Sequence, residues 1–449
     1  MFTNKNQIWI FWAQISRILA GTIFVVVITR SISPELLATW YIFLATFGLI
    51  TLGEMGLSTV YGRHFVYIRS DYEVGKHSKA EFANFIKRGE RIYFLLALVL
   101  FFVAITAGSW ALYFKKSNLS EAKTITYWVV YSFGGACSIL SMFYGAVING
   151  MGDIWRAQKL SIVAVWVNSA ILLLLLLFKD TLIIPVCAFL VSQASALLLY
   201  RREVYKYPVM KGEGAMGGEI NQIPIDSVRS DTLKTVVGIA AYQGLTNGFF
   251  LIISRFFPHG DIAAYGLTIQ FYGIVTSLSM VWASTAFYEM AANRGKGKDY
   301  ETLNIFRASF CRSSIVCLIG VLGIYFLGPA ALKILGSRTE LFRNADMAVL
   351  LCVIWVEFNY GLFAQLLISQ GDLRVSYIAA LGTIAMCGLT FTLSSFSYSL
   401  QQIFWARLGC NFLCFGIPYL ILVKKLFSLK LHRIRLNPNE TFEYLRSDL

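Results

Sequence analysis

The chain has 449 residues, 57% of them hydrophobic and only 14% charged, too apolar a mixture for a water-soluble protein of this length. Its 39 Lys and Arg outnumber 25 Asp and Glu, a net charge of +14 that in a soluble chain would suggest nucleic-acid binding. In a membrane chain such an excess belongs to loops facing an anionic leaflet, so membrane lipids are expected as partners and nucleic acid is not.

Twelve stretches are long enough to cross a hydrocarbon core: 8–29, 36–60, 92–114, 124–148, 160–178, 182–200, 235–257, 262–289, 314–336, 347–370, 375–396 and 401–423. The first follows a single basic residue, Lys5, and no small-residue cleavage site comes after it, so it reads as a retained helix. Between the second and third spans, Lys79 to Arg91 sets Phe82, Phe85 and Ile86 at helical spacing among charges. That pattern predicts a separate amphipathic helix on the membrane surface, with Leu303 to Arg312 as its counterpart before the ninth span. The longest loop, 201–234, carries several Gly, Pro208, Pro224 and mixed charges, and predicts a flexible cytoplasmic linker. The chain thus divides into a six-helix bundle at 1–200, the linker at 201–234, a second six-helix bundle at 235–423 and a basic cytoplasmic tail at 424–449.

Orientation follows from the loops. With both termini in the cytoplasm most of the 39 basic residues lie inside, while the outer loops hold only Arg30, Lys115, Lys116, Lys123, Lys179, Arg338 and Arg343. The halves also resemble each other. Ile28 to Met55 matches Ile253 to Met280 without a gap, with identities at Ile28/Ile253, Arg30/Arg255, Ala38/Ala263, Gly48/Gly273, Thr51/Thr276 and Met55/Met280. Asn84/Asn304, Lys87/Arg307 and the Gly152-Asp153 and Gly371-Asp372 pairs repeat in the same order. Because each half begins inside and holds an even number of spans, the repeats are parallel, related by an axis along the membrane normal. The predicted fold is an all-α integral membrane protein of twelve transmembrane helices in two parallel bundles.

Several chemistries lack their residues. There is no Walker A stretch, and His64, His77, His259 and His432 are scattered, so neither nucleotide hydrolysis nor a metal centre is expected. The eight Cys fall in or beside spans and give no disulfide framework. The outer loops are too short to build a sugar-processing site, so no enzyme activity or cofactor is expected.

Charges within the spans are the candidate site residues, since each costs roughly 2.5–3.5 kcal/mol to insert. Arg17 sits midway along the first span, sharing a face with Gln14 and Gly21 at helical spacing. It either looks into a watered cavity or partners Glu54 or a helix-end carbonyl. Glu54 shares a face with Thr51, Ser58 and Tyr61, and Glu357 lies mid-helix in the tenth span. Both carboxylates read either as ion-coupling groups or as members of static ion pairs. Arg407, with Asn411 one turn on, either faces a lumen or snorkels outward. Arg30 and Arg255 mark outer span ends and read as lumen cations or interfacial anchors. Asn247 heads the uncharged polar residues of the seventh and eighth spans, with Gln243, Thr246, Ser254, Gln270 and Thr276.

The run Thr29 to Tyr41 followed by Phe47-Gly-Leu-Ile-Thr-Leu-Gly-Glu-Met-Gly-Leu57 resembles the opening of polysaccharide-biosynthesis flippases. The nearest match is the Wzx-type O-antigen transporters, within the multidrug/oligosaccharidyl-lipid/polysaccharide exporter superfamily. Thr39-Trp40 stands where that family has a small residue before the tyrosine. The resemblance implies a MATE-like pair of bundles around a central cavity lined by helices 1, 2, 7 and 8. It also implies that an undecaprenyl-diphosphate-linked oligosaccharide is moved across a bacterial inner membrane by alternating access. Arg17 would then hold the diphosphate, and Arg30, Arg255 and Arg407 would extend a cationic path, with Gln14 and Asn247 as further substrate contacts. Glu54 or Glu357 would couple transport to an ion. A glycan polymerase and a chain-length regulator would be partners. A MATE-like antiporter of small molecules is the rival reading, and a glycan-assembly scaffold or a membrane glycosyltransferase are others.

Overall fold

The computed structural model describes residues 5–54, 56–58, 61, 62, 64, 65, 69, 79–109, 121–178, 181–211, 236–295, 299–342, 344–370, 372 and 374–425. Most of the expected linker and tail, residues 212–234 and 426–449, lie outside the described residues.

Every regular element among the described residues is helical. Twelve long helices follow in order. The first six are α1 (Lys5–Ser31), α2 (Pro34–Ile50), α3 (Lys79–Val103), α4 (Glu121–Gly150), α5 (Ile154–Leu172) and α6 (Ile183–Val204). The others are α7 (Val236–Phe256), α8 (His259–Gly295), α9 (Asp299–Ile334), α10 (Asn344–Ser369), α11 (Arg374–Ser395) and α12 (Leu400–Lys425). Eleven are long and apolar enough to cross a membrane. The one not counted among them is α5, whose first turns carry Arg156, Gln158 and Lys159. This is a multi-pass membrane protein.

Local sequence sets several helix ends. Pro34 opens α2 behind Ser33, where its missing N–H costs nothing. Ser399 and Gln402 close a capping box at the start of α12. The α2 helix tightens to a 3-10 turn at Thr51–Glu54, and Gly56 then takes φ +66°, a left-handed conformation suited to glycine. The expected unbroken second span is therefore interrupted. Three helices contain a π turn: Ala104–Gly108 after α3, Gly244–Gly248 in α7 and Phe412–Gly416 in α12.

The two surface helices expected before the third and ninth spans do not stand apart. Lys79 to Arg91 is the first half of α3, and Leu303 to Arg312 lies inside α9. Nothing in either stretch breaks the helix: Gly89 is the sole punctuating residue, and a Cβ there would meet the rings of Phe143 and Tyr61. Phe82 and Ile86 are buried in protein, and Phe85 packs on Tyr61 and Phe65. The spacing reported a buried face correctly, but protein covers it instead of lipid.

The chain forms two compact units, Met1–Ile274 with Leu327–Phe342, and Val275–Phe326 with Arg343–Leu449, the division falling inside α8 and α9. In the first unit α4 packs along α6 and α3, and α5 along α1 and α6. Aromatic rings fill its core: Tyr131 stacks on Phe189 at 4.5 Å and meets Trp40, Phe43 and Phe47 edge-on or tilted. A second cluster joins Tyr61, Phe65, Tyr93 and Phe143. In the second unit α12 packs on α10 and α11, and the tilted rings of Phe306, Phe310 and Phe363 pack beside Met290 and Leu366.

Candidate functional site

In the first unit Arg17 projects from α1 toward α5. Its Nη2 donates to Gln158 Oε1 at 3.2 Å and to Ser161 Oγ at 3.3 Å, and the residue remains exposed. Gln158 and Ser161 share a face of α5 by their spacing of three. Tyr200 of α6 completes the corner, donating to the Ala157 carbonyl at 2.9 Å and lying beside Ser161 and in the field of Arg17. Both bonds of the guanidinium are long and use one nitrogen. Among the described residues no carboxylate pairs with Arg17, and Nε and Nη1 carry no bond. The guanidinium therefore keeps Nε–H and Nη1 free to donate singly, and its charge stays open to an anion. Gln14, one turn earlier, is half-buried, and Gly21 lies against Ile274.

Glu54 is 5% exposed and is engaged by its own turn instead of by Arg17. It accepts from the Gly56 N–H at 2.9 Å, the Ser58 N–H at 2.6 Å and the Tyr93 hydroxyl at 2.8 Å. The carboxylate thus caps the helical turn that restarts after the break in α2, as acidic residues do where free N–H groups converge.

The uncharged polar residues of α7 and α8 meet α2. Gln270 accepts from the Tyr41 hydroxyl at 2.6 Å. Asn247, in the π turn, donates to Gln243 just before it and packs directly on Gly48, where an added Cβ would strike its amide. Arg30 and Arg255 are exposed in the last turns of α1 and α7, where a cation complements the carbonyl end of the helix.

In the second unit Arg407 and Glu357, fifty positions apart, are brought together. Arg407 Nε donates to Glu357 Oε1 at 2.7 Å and Nη2 to Oε2 at 2.8 Å, a two-pronged pair, and Asn411 Nδ2 adds a bond to Oε1 at 2.8 Å. Arg407 is 2% exposed. Its charge is consumed here, in contrast to that of Arg17.

Sequence reasoning singled out Arg17 but not Gln158, Ser161 or Tyr200. Gln158 and Ser161, polar at a spacing of three, were a visible signal. Which helix it faced was not.

No protein-family model matches the chain, and no curated protein matches it. Solved structures do. A multidrug resistance MATE family transporter of the MOP superfamily, in an inward-facing conformation, superposes with a TM-score of 0.75 at 13% identity, covering 93% of this chain and 95% of that one. The lipid II flippase MurJ, in an inward closed conformation, gives 0.67 at 13% identity over 94% and 87%. The MATE multidrug transporter DinF-BH gives 0.65 at 16% identity over 94% and 96%. At these identities the likeness shows the fold: this chain's twelve-helix, all-α architecture is similar to the folds of MATE transporters and MurJ.

Proposed function

We propose that the protein is a flippase for a lipid-linked oligosaccharide diphosphate, of the undecaprenyl type, working by alternating access in a bacterial inner membrane with both termini cytoplasmic. The observation that carries this reading is the exposed Arg17, which has no carboxylate partner among the described residues. A permanently charged fork, rested on an amide and a hydroxyl instead of a carboxylate, keeps its charge available to a diphosphate. Gln14 borders the same face, and Arg30 and Arg255 add cations at the far helix ends. Arg407 enters as a structural group, since Glu357 already neutralises it. Polymerase and chain-length regulator partners are part of the same proposal.

Antiport of small cations needs acidic groups open to the cargo. Here the oxygens of Glu54 accept three bonds and those of Glu357 hold Arg407 and Asn411, which favours the anionic substrate.

The test reconstitutes the protein in vesicles with a fluorescent polyprenyl-diphosphate sugar and follows its transfer between leaflets. Arg17→Ala should abolish transfer at unchanged protein level, Arg17→Lys should retain part of it, and Gln158→Ala should leave it active. Full transfer by Arg17→Ala would overturn the assignment.

A further inference from the structure

The inner end of α6 holds a recess that the transport reading does not use. It has a volume of about 300 Å³ and is lined by Leu198, Arg201, Arg202 and Tyr205. It is shallow and open, because its lining residues share one face of the helix.

Its walls are of two kinds. Leu198 is 66% exposed on an apolar span, which marks surface turned toward lipid chains. One turn further on stand two arginines. Arg201 is held in place while 54% of its side chain stays exposed: its Nη2 lies 3.5 Å from Glu90, and its guanidinium covers the Tyr205 ring at 5.6 Å. Glu90 does not depend on Arg201 for its hydrogen bonds, because Tyr144 donates to one oxygen at 2.6 Å and Tyr205 to the other at 2.8 Å. Arg202 is exposed and has no partner among the described residues. Complementing the carbonyl end of α6 accounts for cations in its last turn, but not for a recess between them. The Lys and Arg bias of the loops assigns this end to the cytoplasmic leaflet, where anionic lipids gather.

We propose that Arg201, Arg202 and Tyr205 bind the phosphodiester headgroup of an anionic membrane phospholipid, with an acyl chain lying along Leu198. Arg201 supplies a pre-set cation, Arg202 an exposed one, and the Tyr205 ring a floor. The Leu198 side of the recess is what a membrane lipid can use and a soluble phosphate cannot.

The experiment titrates full-length protein in nanodiscs of phosphatidylcholine with increasing phosphatidylglycerol, reading bound lipid by native mass spectrometry. Replacing both arginines (Arg201→Gln with Arg202→Gln) should weaken phosphatidylglycerol retention about 30-fold, or about fivefold for each charge near a membrane surface. Arg201→Lys with Arg202→Lys should keep most of it, and Arg312→Gln, an exposed arginine elsewhere, should not change it. If the double variant does not fold, Arg202→Gln alone decides, with about a fivefold loss expected. Unchanged retention in these variants, or an equal loss in Arg312→Gln, overturns the site. Equal competition by soluble glycerol 3-phosphate would make it a free-phosphate site. Displacement by undecaprenyl diphosphate at lower concentration than phosphatidylglycerol would make it a substrate site. Either outcome overturns the proposed occupant without touching the role of Arg17.

Discussion

Replacing Glu357 by Leu removes the carboxylate facing Arg407 and leaves a guanidinium that is 2% exposed without its counter-charge. Stripping one partner from a buried, two-pronged pair costs about 3–5 kcal/mol, because the remaining charge is left without water or a counter-charge. For a unit the size of an ordinary domain, each kcal/mol moves the midpoint by about 2–4 °C, so the variant should melt on the order of 10 °C below the wild type. Arg407→Met should lose less, since Asn411 still donates to Glu357. The combination of Glu357→Leu with Arg407→Met removes both charges and should recover most of the loss, as apolar replacements of buried pairs do. The assay is thermal unfolding of detergent-purified protein for the four members of the cycle at one heating rate. If the double variant loses the sum of the two single losses, the side chains do not act as a pair and the reasoning fails.

Gly135→Ala should destabilise by about 1–3 kcal/mol, because its new Cβ would collide with the Phe47 ring. Gly145→Ala, on the same helix with nothing within 4 Å, should gain about 0.5–1 kcal/mol; paired thermal melts check both. Glu54→Ala should cost about 1–3 kcal/mol through the stranded N–H groups of Gly56 and Ser58, whereas Tyr93→Phe removes one bond and should cost about 1 kcal/mol, again read by melting. Outside the spans, hydrogen bonds from Arg374 hold the Asp372 carboxyl below its ordinary range. Its proton is bound more weakly folded than unfolded, so the stabilisation is complete above the unfolded value of about 3.9 and fades as pH falls through the lower folded value. Melting curves of wild type and Asp372→Asn should therefore differ by a constant amount at neutral pH and converge in acid.

Hydropathy made the spans legible because every helix in hydrocarbon must carry its own run of apolar side chains. It placed the ends poorly where protein replaced lipid. Phe82 and Ile86 looked like a surface stripe, and only the packing of α3 against its neighbours shows that they belong to the core. The break after Glu54 was written in Gly53 and Gly56, yet a glycine in an apolar run is also common in membrane helices, so its left-handed turn was not readable. Pairings across helices were the least accessible. Arg407 and Glu357 announced themselves as costly charges, and the sequence raised an ion pair for Glu357 as one reading without saying with what. Arg17 was found for the same reason, while its supports on α5 and α6 carry no charge and so left no comparable mark.

The π turns at Ala104–Gly108, Gly244–Gly248 and Phe412–Gly416 each hold one residue more than an α turn would. That surplus residue is stored length. Returning it to α geometry would advance the helix beyond it by about 1.5 Å and swing its faces by about 100°, with no covalent bond altered. At the first site the Trp128 indole donates to the Ala104 carbonyl at 2.8 Å, which gives that oxygen a partner outside its own helix. The segments carrying Arg255 and the end of α12 therefore each lie just beyond one such stored residue.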